Sequence, residues 1–88
     1  MSAENVALVD TYMKMRNSYN HGFLKYDYFR NIIRYITGIK KSVNIRAIFQ
    51  KMLEQELIEK QIIIKTNKKK TLRYRHNPYY IDSYNLVN

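Results

Sequence analysis

Eighty-eight residues, 45% of them hydrophobic, make one small domain with a modest core, and disorder is not the default reading. The absence of cysteine excludes a disulfide framework and a thiolate metal site, and no apolar run approaches the roughly 20 residues of a membrane span. A net charge of +9 points to a polyanionic partner; with no basic and apolar leader after Met1-Ser2-Ala3-Glu4, the chain is expected to be soluble and intracellular, in nucleus, cytoplasm or bacterial nucleoid.

In chain order, residues 3–16 carry Val6, Val9 and Met13 at helical spacing, with Leu8, Tyr12 and Met15 expected to widen the same stripe. Ser2 suits the cap of this first helix and Glu4 its first turn. Residues 17–22 read as a loop. A second helix is expected over 25–37, where Tyr28, Phe29, Ile32, Ile33 and Ile36 form the apolar stripe. Asp27 caps it or lies in its first turn, and Gly38 stands where a left-handed residue stops a helix.

A third helix starts at Ser42, a strong N-cap residue type, and ends within 55–60. Ile45, Ile48, Phe49, Met52 and Leu53 face one way, and Asn44, Arg46, Ala47, Gln50 and Lys51 the other. The period then changes. Ile62-Ile63-Ile64 is a β-branched run, Leu72-Arg73-Tyr74-Arg75 alternates, and the polar stretch 65–71 between them holds the turn-prone Asn67. This predicts a β-hairpin with a basic tip, ended by Pro78. The aromatic tail, residues 79–88, follows a domain of residues 1–78; it returns to the core, reaches a partner or makes a dimer contact.

Charge is gathered in one place. Residues 60–76 hold seven basic side chains and no acid, leaving nine basic against seven acidic residues elsewhere. The wealth of Ile, Lys, Asn and Tyr suits an AT-rich genome, viral, protist or bacterial, but a uniform codon bias would not cluster the Lys. His21 and His76 form no metal-ligand pattern, and no nucleophile elbow, phosphate-cradling Gly loop or paired acids are present, so neither an enzyme nor a cofactor is expected. Tyr12, Tyr28 and Tyr35 are expected in the core; Tyr74, Tyr79 and Tyr80 are open between packing and stacking on unpaired bases.

The order of helix, helix, the short turn Gly38-Ile39-Lys40-Lys41, helix and hairpin resembles the winged helix-turn-helix domains of DNA-binding proteins, over roughly residues 5–76. Residues 52–59, Met-Leu-Glu-Gln-Glu-Leu-Ile-Glu, are similar to the end of a recognition helix running into a wing. Two positions depart from the pattern. Glu56 stands where many such domains have Gly, so the helix runs longer or turns differently. His21-Gly22-Phe23-Leu24 would have to stand in for the short strand between the first two helices.

The resemblance implies a mainly α fold with a small hairpin, a three-helix winged helix-turn-helix. It also implies double-stranded DNA binding in transcription regulation, replication or genome packaging. On that view the third helix enters the major groove with Asn44, Arg46, Gln50 and Lys51, residue types that pair with guanine or adenine edges. Ser42 and the helix start would meet a phosphate, with Lys40 and Lys41 beside it. Lys65, Asn67, Lys68, Lys69, Lys70, Arg73 and Arg75 of the hairpin would track the backbone. The alternatives are a protein-interaction module docking an acidic partner, and RNA or single-strand binding through Tyr74 and its Arg neighbours.

Overall fold

Val6, Val9 and Met13 are all buried and fix the inward face of a first helix, α1 (Ala3–Asn17). Ile33 and Phe29, one turn apart, do the same for α2 (Tyr26–Thr37), and Ile45, Ile48, Phe49 and Met52 for α3 (Ser42–Glu54). Two strands follow, β1 (Ile58–Ile64) and β2 (Lys70–His76), paired antiparallel with Ile58 opposite His76 and Ile64 opposite Lys70. The computed structural model describes residues 3–17 and 22–78, so the Ser2 cap, His21 and the aromatic tail 79–88 lie outside the described residues. Three helices and a terminal hairpin are the mainly α layout that the sequence implies.

The core gathers the inward faces of all three helices with Leu57, Ile58 and Tyr74 from the hairpin. Phe49 stands at its aromatic centre. Its ring lies edge-on to Tyr74 at 4.7 Å, Tyr26 at 4.9 Å and Phe29 at 5.6 Å between centroids. Several expectations are corrected here. Leu8 and Met15 do not widen the buried stripe of α1 and are exposed, because each sits about half a turn from Val6 and Met13. Tyr28 and Tyr35 are not core residues: they are 60% and 85% exposed, while Tyr74, left open from sequence, fills the aromatic cluster. Tyr35 follows Ile33 by two residues, which turns it to the opposite side of α2.

The ends of the helices are set by backbone geometry. Gly38 adopts φ 74 and its N–H donates to the Arg34 carbonyl at 2.9 Å, stopping α2 as expected. Asp27 lies in the first turn of α2 and is not its cap. Ser42 is not the cap of α3 either. The extended residue is Lys41, whose carbonyl accepts from Asn44 and Ile45 N–H, so Ser42 is already the first helical residue. α3 ends at Glu54, earlier than the 55–60 expected. There Leu57 N–H donates to the Met52 carbonyl and Glu56 N–H to the Leu53 carbonyl, the paired bonds of a Schellman cap.

That cap places Glu56 at φ 59, a left-handed conformation that side chains with a Cβ resist. Glu56 therefore turns the chain where a Gly would, and its carbonyl accepts from Asn77 Nδ2 at 3.0 Å. Glu56→Gly is expected to stabilise the domain by about 0.5–1 kcal/mol, relief of strain exceeding the added freedom of the unfolded chain. Thermal unfolding followed by circular dichroism should show a melting temperature higher by roughly 2–8 °C; a decrease would contradict the strain.

Leu24 exchanges both backbone hydrogen bonds with Tyr74, at 2.6 and 2.7 Å, so a one-residue bridge replaces a strand between α1 and α2. Asn17 Nδ2 donates to the His76 carbonyl at 2.9 Å and ties the end of α1 to the end of β2. His76 is buried beside Asp10, with Nε2 3.2 Å from Oδ1 but outside hydrogen-bonding geometry. Burial pushes the imidazole below its usual 6.5, Lys14 adds to this, and Asp10 opposes it.

Candidate nucleic-acid interface

The hairpin register decides where each cation points. Side chains alternate across the sheet. Ile58, Lys60, Ile62 and Ile64 therefore share a face with His76, Tyr74, Leu72 and Lys70. Glu59, Gln61 and Ile63 share the other with Arg75, Arg73 and Thr71. The first face begins in the core at Ile58 and Tyr74. Beyond Lys60 it leaves the helical body, and every residue from 60 to 70 is exposed.

The tip is a three-residue loop, Thr66-Asn67-Lys68. Lys68 N–H closes a turn on the Lys65 carbonyl at 2.8 Å, and Lys65 N–H donates to Lys69 at 3.0 Å. Lys68 sits at φ 63, the left-handed position that follows such a turn in hairpins. Asn67 Oδ1 accepts from Lys69 N–H at 3.2 Å, so Asn67 builds the turn. Lys65, Lys68, Lys69 and Lys70 thus crowd the tip, with Arg73 on the adjoining strand. None of these five makes an ion pair among the described residues.

Arg75 stands apart from that group. It lies at the base of the hairpin, half-buried, with Nε 2.5 Å from Glu59 Oε1 and its guanidinium 4.3 Å from the centre of the Phe23 ring. The acid that offsets it is one residue before the acid-free stretch and directly across the sheet. Lys60 and Lys70, on the opposite face from Arg73 and Arg75, show that the cations do not form one flat surface.

On α3 the exposed arc carries Val43, Arg46, Ala47, Gln50 and Glu54. Lys51 is exposed on one shoulder, and Asn44 on that same shoulder is half-buried. Arg46 projects over the Tyr26 ring, 5.4 Å from its centre, which holds it against the α2 side. Lys40, Lys41 and Ser42 are exposed at the turn that opens the helix. One residue of this arc, Val43, escapes a reading based on polarity: it is an exposed apolar residue in the first turn, which the helical period places on this side. Glu54 adds an acid at the far end.

The chain matches no family model, no curated protein and no solved structure. Among the described residues, no group of three or more His, Asp or Glu is placed to hold a metal, and no helix is long and apolar enough to cross a membrane. An open groove along α1 is lined by Ala7, Leu8, Tyr12, Met15 and Ile36, with Glu4 and Thr11, and is mostly apolar. Burial, and after it Tyr26, raises the Tyr74 phenol above its usual 10.0, in keeping with a core ring.

Proposed function

We propose that the chain binds double-stranded DNA, with the hairpin tip against the phosphate backbone and the exposed arc of α3 in the major groove. The observation that carries this reading is the tip itself. Lys65, Lys68, Lys69, Lys70 and Arg73 are gathered on a hairpin end that stands clear of the core, without an acid partner among the described residues. Like charges at that density repel one another, and a polyanion that releases counterions relieves the repulsion. Arg46 and Gln50 supply groups that hydrogen-bond guanine and adenine edges, and Val43 supplies the methyl contact that suits thymine. Transcription regulation, replication or genome packaging are the roles such a binder would serve.

Single-strand binding through Tyr74 is less well supported, since its ring is buried between Phe29 and Phe49 and offers no face to a base. Five phosphate contacts predict a slope of about −4 to −5 for log affinity against log salt on duplex DNA. Replacing Lys68, Lys69 and Lys70 together by Ala should reduce that slope by roughly 2.7 and weaken all duplexes alike. Fluorescence-anisotropy titrations across salt concentrations measure both. An unchanged slope in the triple variant would remove the hairpin from the interface.

A further inference from the structure

Among the described residues, the hairpin has one backbone edge without a partner. β2 is flanked by β1 on one side and by the Leu24 bridge on the other, whereas β1 pairs only with β2 among the described residues. Antiparallel ladders alternate, so the bonds Lys65 N–H to Lys69 and Asn77 N–H to Leu57 fix which groups point where. Glu59, Gln61 and Ile63 turn their N–H and C=O groups inward to β2. Lys60, Ile62 and Ile64 turn theirs away from β2, with no backbone partner among the described residues. Tyr74, opposite Lys60, obeys the same alternation, because its own outward groups are the ones that bond Leu24.

This edge is also apolar. Ile62 is 52% and Ile64 68% exposed, Leu72 lies beside Ile62, and no Pro or bulge interrupts β1. Strands of this kind are templates for another strand. We propose that the β1 edge pairs antiparallel with the same edge of a second copy of this chain, about a two-fold axis at Ile62, to form a continuous four-stranded sheet. The inference does not depend on the DNA reading.

Charge selects both the occupant and the register. With the axis at Ile62, Ile62 faces its own copy, Lys60 faces the partner's Ile64, and Gln61 faces the partner's Ile63. Lys65 then faces the partner's Glu59, twice by symmetry, and no like charges are opposed. The facing residues at positions 60, 62 and 64 all have outward backbone groups, so the ladder closes without a bulge. Leu72, Ile62, the partner's Ile62 and the partner's Leu72 line up as one apolar row across the sheet. Other centres do worse. An axis at Lys60 sets Lys against Lys, and one at Ile64 sets Lys60 against the partner's Lys68. An axis at Gln61 would require the buried Ile58 to pair, and one at Ile63 loses both Glu59 contacts and runs into the turn.

Two chains of +9 repel at long range, so association should strengthen as salt rises. Sedimentation of the full chain between about 10 and 500 μM in roughly 0.5 M salt, where screening acts within a few ångströms, should show a monomer–dimer equilibrium. Ile62→Lys places like charges on the axis. Ile62→Pro deletes an outward N–H that the β1–β2 ladder does not use. Both should raise the dimer dissociation constant at least about tenfold, a change of roughly 1.4 kcal/mol, with far-UV circular dichroism unchanged. Amide exchange on the wild-type chain reads the same edge without a mutation: Lys60, Ile62 and Ile64 should gain protection with concentration while Gln61 and Ile63 stay protected throughout. A monomer at every concentration, a dimer indifferent to both substitutions, or equal exchange at those three amides at low and high concentration would overturn the proposal. Association only on addition of another protein would point instead to a foreign strand.

Discussion

Phe49→Ala should remove about 3–5 kcal/mol of folding stability, a large fraction of what a domain of this size has. Phe49 is buried and its ring meets three other aromatic rings contributed by α2 and β2. Truncation removes the transfer free energy of the ring and leaves a cavity bounded by rigid neighbours, a combination that costs about 3–5 kcal/mol. Domains of this size are stable by only about 4–13 kcal/mol, at 0.05–0.15 kcal/mol per residue. Urea denaturation followed by circular dichroism gives the difference directly. Phe49→Leu, which keeps most of the volume, should cost roughly half as much. Tyr35→Ala, on the exposed side of α2, should change stability by less than about 0.5 kcal/mol. A loss below about 1.5 kcal/mol for Phe49→Ala would mean that the three helices and the hairpin are not held through this cluster.

Local chemistry made much of this fold legible. The burial of Ile45, Ile48, Phe49 and Met52 follows from helical period, Gly38 from its conformational freedom, and the hairpin from β-branched runs around Asn67. What escaped depends on partners distant in sequence. Tyr28 and Tyr74 have the same side chain, and only the packing of β2 against α2 and α3 makes Tyr74 the buried one. The start of α3 turned on whether Lys41 or Ser42 takes the extended conformation, which residue type alone does not settle. Glu56 is conspicuous as a missing Gly, yet its left-handed turn is held by the backbone bonds of Glu56 and Leu57 to Leu53 and Met52 and not by its own preference.

The candidate site was legible as composition and less so as geometry. Counting charges found the Lys-rich tip, because the turn residues are consecutive. It missed that Arg75 faces Glu59, a relation created by the strand register alone. It also treated the cations as one cluster, although pleating sends Lys70 and Arg73 to opposite faces. For α3, polarity picked out Arg46 and Gln50 but passed over Val43, which the helical period places on the same exposed arc.

Arg46→Ala should separate the two halves of the proposed interface. The Arg46 guanidinium is already placed over Tyr26, so part of the cost of ordering a long side chain is met before DNA arrives. If it reads a guanine edge, its loss should cost about 1–3 kcal/mol on preferred duplexes and much less on arbitrary ones. The ratio of preferred to arbitrary affinity should then fall roughly 5- to 150-fold, while the salt slope changes by at most about 0.9. The triple Lys variant should do the reverse, lowering the slope and leaving the ratio intact, because phosphate contacts hold no base information. Duplexes chosen by selection from a random pool, titrated against both variants, give the two quantities independently. Arg46 is exposed and outside the core, so circular dichroism should confirm an intact fold in each case. A ratio unchanged by Arg46→Ala would take α3 out of the groove and leave a binder that acts through charge alone; a ratio changed by the Lys substitutions would assign base reading to the hairpin tip.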